Sequence, residues 1–402
     1  MRLSDEQEDA INLCTDTTKR IVGITGRAGC GKTTILGKAF EDIDIEGPKV
    51  LAAPTGRAAK RIQEATGIPA MTIHRMMRYT MPADEDDESL PAHNKDNPLP
   101  YRAIFIDEAS MVDNDLYRNV IDAMPNNGSV IRFFGDANQL PPVKGDSPFL
   151  KILDKWPSME LTHNFRSNDG IVSAATSILE GKTPRANDKF NMIMIGAGNM
   201  LAAAEEFIDD SYRGLNSQII IPTKKGKYGT LAVNKYLQQK LNNSKIRLRI
   251  VIPDPQDEAA SEEREFRIGD KVIQTKNDYQ LKLFNGQIGH VMDIDTDDGT
   301  IICEFEERVV AYPCILEQYD ERRGRSIFRY DPRRNLELAY AVTTHKAQGS
   351  EFDTVLLMLN RGFVLNRANF YTAVTRAKNK VHCLLGPGAL NDAMRKVSPS
   401  SK

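Results

Sequence analysis

At 402 residues the chain exceeds what one hydrophobic core organises, so two or three domains are expected. Its 41% hydrophobic and 27% charged residues are ordinary globular composition, and no apolar run is long enough to span a membrane. A net charge of −2 excludes a histone-like or tail-driven polyanion binder, while leaving room for a narrow basic channel.

The N-terminus (MRLSDEQEDA) is polar and lacks the apolar segment of a signal peptide. The five cysteines are scattered without metal-ligand spacing, so a reduced, cytosolic compartment is expected. Ser4 and Gln7 have capping-box spacing ahead of Ala10, Ile11 and Leu13, which predicts a short amphipathic helix. Gln7, just ahead of a strand, is either a helix-start residue or a reader of an adenine edge.

Residues 21–34, IVGITGRAGCGKTT, are the organising stretch. A β-branched run leads into Gly26-x-x-x-x-Gly31-Lys32-Thr33 and then a helix, the pattern that cradles a nucleotide's phosphates. Gly26, Gly29 and Gly31 let the backbone N–H groups of residues such as Cys30 converge on an anion, and the following helix adds its positive dipole end. Lys32 is then placed for the β- and γ-phosphates and Thr33 for Mg²⁺, with Thr34 beside them.

KVLAAPTGRAAKRI predicts a buried strand, a break at Pro54 and a basic helix with Thr55, Arg57, Lys60 and Arg61 near its start. That end suits phosphate oxygens; a solvated helix face is the plain alternative. His74 follows in TIHR, and residues 79–101 lose periodicity in an acidic, proline-rich insertion. RAIFIDEAS predicts a strand ending in Asp107-Glu108. Beside a phosphate loop, Asp107 suits Mg²⁺ and Glu108 suits a general base that polarises water. SVIRFFGDANQ predicts a third strand, whose end places Gln139 to sense a γ-phosphate. Arg166 precedes a further helix and is within reach of a phosphate.

A second α/β pattern runs from 185 to 245. Residues 246–335 change to short alternating segments with Asn285-Gly286 and Asp298-Gly299 turns, which predicts a small antiparallel barrel. The α/β pattern then resumes, with a helix expected to carry Tyr371, Thr375 and Arg376. The whole is expected to be α/β, with parallel sheets flanked by helices and an inserted antiparallel barrel. Residues 1–156 are assigned to the first domain, with a small insertion at 76–101. Residues 157–245 with 336–402 form the second, and 246–335 the barrel.

Taken in order, GRAGCGKTT (26–34), APTGRAAKRI (53–62), TIHR (72–75), DEAS (107–110), GDANQLPPV (135–143), LTHNFRS (161–167), TTHKAQGSEFD (343–353) and YTAVTRAK (371–378) resemble superfamily 1 helicases. The QLPPV and THKAQG variants are similar to the RecD/Dda branch. The resemblance implies that the α/β parts are two RecA-like P-loop domains and the insertion an SH3-like barrel. It implies an ATP- and Mg²⁺-dependent DNA helicase moving 5′ to 3′ on single-stranded DNA. It further implies that Gln7 reads adenine, that Arg166 and Arg376 act as arginine fingers, and that Thr55, Arg57, His74, Thr344, His345 and Lys346 lie along the DNA backbone. In such relatives the 76–101 insertion is a strand-separating pin; here Tyr79 and His93 are its only stacking candidates. Single-stranded and forked DNA are the expected partners, with single-stranded-DNA-binding protein or replisome components beside them, for a monomer without membrane contact in the cytoplasm of a bacterial or phage-infected cell. Two alternatives stand beside this reading: a single-strand translocase without unwinding, and a regulatory ATPase acting on proteins.

Overall fold

The computed structural model describes residues 3–79, 90–142, 147–163, 165, 170–196, 199–252, 261–278, 280–306, 308–320 and 325–395. The first helix, Asp5–Thr15, starts with the capping box read from sequence: Gln7 N donates to Ser4 Oγ at 3.3 Å and Ser4 N to Gln7 Oε1 at 3.2 Å. Six strands follow: β1 (Ile21–Gly26), β2 (Lys49–Ala53), β3 (Ala70–Thr72), β4 (Ala103–Ile106), β5 (Val130–Gly135) and β6 (Ser158–Leu161). They form one sheet in the order β3-β2-β4-β5-β1-β6, paired in parallel throughout. Buried apolar residues on both faces explain the unbroken runs that mark β1, β4 and β5 in the sequence. Because β6 hydrogen-bonds beside β1, the first domain reaches Leu161, beyond the expected boundary at 156.

In the second domain, β7 (Phe190–Met194) and β8 (Ser217–Ile221) come first. The chain then leaves through the helix Thr230–Leu241 into β9 (Arg247–Ile252) and β10 (Glu262–Arg267), an antiparallel ribbon. β11 (Lys271–Gln274), β12 (Ile288–Asp295), β13 (Thr300–Phe305) and β14 (Arg308–Tyr312) form the expected small antiparallel β unit. β15 (Leu316–Asp320) and β16 (Arg325–Tyr330) pair as a hairpin. β17 (Leu336–Leu338) pairs with β11, so this unit closes at 338, slightly past the expected 335. Gly299, at φ 74°, makes the β12–β13 turn that Asp298-Gly299 signals. β18 (Ala341–Thr343), β19 (Phe352–Leu359) and β20 (Ala377–Leu385) complete a parallel sheet in the order β18-β8-β19-β20-β7.

A buried carboxylate fastens the barrel to the second domain. Asp270 accepts from Gln238 Nε2 (2.6 Å), Asn242 Nδ2 (2.7 Å), Arg267 N (2.7 Å) and Tyr340 Oη (2.9 Å). Beside it the Lys271 ammonium donates to the carbonyls of Gly214 and Ser217, also across the seam. Asp270→Ala strands several buried donors at once, so a loss of about 3 kcal/mol is expected. Denaturant unfolding of the full chain measures it; a loss under about 1 kcal/mol would show that this seam is held by apolar packing alone. Among the described residues no helix is long and apolar enough to cross a membrane.

Candidate nucleotide-hydrolysis site

The phosphate loop sits at the carboxyl end of β1, and the ends of β4 and β5 lie on the same edge, where open parallel sheets collect ligands. Gly29 (φ 87°) and Gly31 (φ 79°) make the left-handed turns that aim the loop inward. Lys32 opens the helix Lys32–Asp42, and its Nζ donates to the carbonyls of Gly26 (2.5 Å) and Arg27 (3.0 Å). The ammonium therefore already lies within the loop, where phosphate oxygens offer it stronger acceptors. Thr33 and Thr34 follow on the first turn, and the Cys30 side chain is buried beneath the loop. A Cβ on Gly31 would come within 2.5 Å of Gln7 Nε2, so Gln7 closes its helix cap and borders the phosphate loop at once.

Asp107 and Glu108 leave β4 as a buried pair. Glu108 N donates to Asp107 Oδ1 at 2.8 Å, and Glu108 is held at φ 53°, a costly conformation for a residue with a Cβ. Burial, then the neighbouring Glu108, pushes the Asp107 carboxyl above its ordinary range. A divalent cation relieves that penalty, so the carboxylate fits the Mg²⁺ role assigned from sequence. For Glu108, burial works in the same direction, yet Arg61, Arg376 and Lys32 together outweigh it and hold this carboxyl ionised. Gln139 is buried with its Oε1 unpartnered, an acceptor in want of a donor near the same edge.

The second domain closes over this edge. Tyr371 Oη donates to Asp136 Oδ2 at 2.6 Å and accepts from the phosphate-loop Ala28 N at 3.4 Å. Thr372 Oγ1 accepts from Leu140 N (2.9 Å), and Gln348 Nε2 donates to Leu140 O (2.9 Å). The loop carrying Gln139 is thus gripped by two segments of the other domain. Arg376 follows the helix Arg367–Val374 instead of lying on it, as the sequence suggested, and is buried. Its Nε donates to Thr372 O at 3.1 Å and its Nη1 to Ser350 O at 3.4 Å, and its charge bears on Glu108. Arg166 lies outside the described residues. Arg61 was named from sequence only as a phosphate-facing cation and Tyr371 only by its helix, while Thr372 and Gln348 were not named. Each sits inside a recognised motif, so motif membership was the available signal, but their contacts join residues far apart in the chain.

Several residues expected along DNA have their side chains committed elsewhere. Thr55 Oγ1 caps the helix Gly56–Thr66 by accepting from Ala58 N. Arg57 turns inward, donating to Ser350 Oγ (2.7 Å) and Gly286 O (3.2 Å) and lying over the Phe352 ring; burial pushes its pKa down to about 10. It is a tie among both domains and the barrel. Thr344 is fully buried and donates to Asn369 Oδ1 at 2.9 Å, so it is likewise internal. Lys346 pairs with Glu337 at 2.7 Å but keeps a quarter of its side chain exposed, and burial lowers the pKa of its neighbour His345. Burial also lowers the pKa of His74, whose ring lies 4.8 Å from that of Tyr79. In the insertion, Tyr79 bridges to Pro91 and its Oη accepts from Asn119 at 2.8 Å; His93 is buried against Asn97 O. Both stacking candidates serve the base of the insertion, while 80–89 lie outside the described residues.

A phosphate loop on one parallel-sheet domain, covered by polar groups of a second, defines a two-domain P-loop protein of RecA type. Family models match in the same order: an AAA domain over residues 2–193, the SH3 domain of ATP-dependent RecD-like DNA helicases over 233–305, and a UvrD-like helicase C-terminal domain over 338–384. Along most of its length the chain is therefore similar to the RecD-like helicases. It is 33% identical to the ATP-dependent RecD2 DNA helicase of Deinococcus radiodurans over 385 residues, covering 94% of this chain and 48% of that protein. A RecBCD enzyme subunit RecD of Mycolicibacterium smegmatis is 27% identical, across 89% of this chain and 67% of that subunit. The chain spans about half the length of the RecD2 relative and about a third of two conjugal transfer proteins TraA that it also matches. In fold it is similar to a Bacteroides Pif1 helicase solved with ADP-AlF3 and single-stranded DNA: TM-score 0.62, 21% identity, 99% of this chain and 95% of that one.

Proposed function

We propose that the chain is an ATP-dependent DNA helicase that translocates 5′ to 3′ on single-stranded DNA and opens duplexes at forks. The observation that carries this reading is the bonding of Tyr371 from one domain to Ala28 and Asp136 from the other, with the charge of Arg376 bearing on Glu108 across the same cleft. A static nucleotide binder has no use for a buried, ionised carboxylate at the phosphate edge, nor for an arginine brought to it by a second body.

Lys32 and the amides of Gly29–Thr34 hold the β- and γ-phosphates, and Gln7 contacts the base. Thr33 and Asp107 would hold Mg²⁺, which would supply charge neutralisation on the phosphates. Glu108 takes the proton of a water that attacks the γ-phosphorus as the bond to the β-phosphate oxygen breaks. Gln139 orients that water through its unpartnered Oε1, and Arg376 balances the charge spreading over the transferred group, with Arg166 as a second arginine in that role. Loss of the γ-phosphate loosens the grip of Tyr371, Thr372 and Gln348 on the Asp136–Leu140 loop. Alternating closure and opening then moves the strand, held by its phosphates without base readout. His345 and the exposed part of Lys346 are the groups retained here for that strand.

Matched duplexes with 5′ or 3′ single-stranded tails, incubated with ATP, test class and polarity together. Strand displacement confined to the 5′-tailed duplex is expected, and preference for the 3′ tail would remove the polarity assignment. The commitment of Tyr79 and His93 to internal contacts favours a second reading, a translocase without unwinding. DNA-stimulated hydrolysis with no displacement on either substrate would establish it. Hydrolysis indifferent to DNA would instead favour an ATPase directed at protein partners.

A further inference from the structure

Arg61 lies on the helix Gly56–Thr66, one turn beyond Arg57, and its guanidinium has two carboxylate neighbours from different domains. Nη2 is 2.8 Å from Glu108 Oε1 in the first domain, and Nη1 is 3.5 Å from Glu351 Oε1 in the second. The first contact is a full charge-assisted hydrogen bond, whereas the second is longer than one. A carboxylate that accepts an arginine hydrogen bond must give up that bond, or turn away from it, before it takes a proton from water. The same second-domain stretch is tied to the cleft beside this pair: Ser350 Oγ accepts from Arg57, and Ser350 O accepts from Arg376. Residues 350 and 351 therefore meet three arginines, two of them on one helix of the other domain. Any relative movement of the domains must alter the Arg61–Glu351 distance, because its two ends ride on different sheets.

We propose that Arg61 is a positioning residue that restrains the general base, and that Glu351 is the competing acceptor that releases it. When the second domain advances, Glu351 takes the guanidinium and Glu108 is freed toward the water; when it retreats, Arg61 returns to Glu108 and hydrolysis slows. The exchange couples strand engagement to chemistry without a new catalytic group, since Arg61 acts through Glu108. This rests on the reading above, that hydrolysis is stimulated by single-stranded DNA.

Steady-state ATP hydrolysis with and without oligo-dT tests it on the full chain, for wild type, Arg61→Ala, Arg61→Lys and Glu351→Gln. Arg61→Ala is expected to raise the DNA-free kcat about fivefold or more and to shrink the stimulation ratio accordingly, with KM for ATP little changed. Arg61→Lys, which keeps the charge, restores part of the ratio. Glu351→Gln, a substitution at a partly exposed position, leaves Glu108 as the ion-pair partner of Arg61 among the described residues and is expected to lower the DNA-stimulated kcat by about fivefold. Equal loss of both rates in Arg61→Ala would overturn the proposal, as would an unchanged ratio in Glu351→Gln, which also decides the matter if Arg61→Ala does not fold. A wild type that DNA fails to stimulate is a different failure, that of the helicase reading itself.

Discussion

Glu108→Gln is expected to lower DNA-stimulated kcat for ATP hydrolysis by about a thousandfold while leaving ATP affinity within about threefold. The amide has the shape of the carboxylate but cannot take the proton of the attacking water. Affinity survives because Lys32 and the phosphate-loop amides, not Glu108, make the ground-state contacts. The substitution also removes a negative charge from among Arg61, Arg376 and Lys32, whose combined pull keeps this carboxyl ionised despite its burial. Some loss of stability should accompany it, since buried cations lose their counter-charge. Rapid-quench hydrolysis beside fluorescent-nucleotide binding separates the two effects. A residual kcat within tenfold of wild type would move the base to another residue.

Arg376→Ala is expected to cost about a thousandfold in kcat, the magnitude associated with an arginine that balances charge on a transferring phosphoryl group. Its burial and its bonds to Thr372 O and Ser350 O hold the guanidinium in place, with its charge bearing on Glu108. Arg376→Lys should recover little, because a lysine has a single ammonium where the arginine spreads donors across a plane. The discriminating measurement is kcat at saturating ATP and saturating single-stranded DNA. A variant whose KM rises while kcat stays near wild type would show that Arg376 only helps nucleotide binding. The two substitutions act in one step, so the double variant should lose far less than the product of the single losses.

Much of the site is legible in the residues because phosphate chemistry acts on short segments. A phosphate loop needs glycines at left-handed positions and a lysine at the following helix start; Gly29, Gly31 and Lys32 occupy those places and those conformations. Asp107-Glu108 is readable for the same reason, as an acidic pair directly after a buried strand. Capping boxes and Asp-Gly turns are equally local, which is why Ser4–Gln7 and Asp298-Gly299 appear where expected. The internal partners of the residues expected along DNA are not legible in this way. Arg57 and Thr344 carry the residue types of a phosphate contact, yet one ties three units together and the other is buried against Asn369. Nothing in a helix's own periodicity says which neighbour will cover its basic face.

By itself, the sequence determined the two parallel-sheet domains, the inserted barrel, the phosphate loop and the acidic pair, because each follows from periodicity or from chemistry within a dozen residues. Only the tertiary structure decided that Arg61 bonds Glu108, that Tyr371 bridges Asp136 and Ala28, and that β6 joins the first sheet and β17 pairs with β11. Those contacts join residues tens to hundreds of positions apart. They depend on how two separately folded sheets face each other, and side-chain identity along one segment carries no record of that.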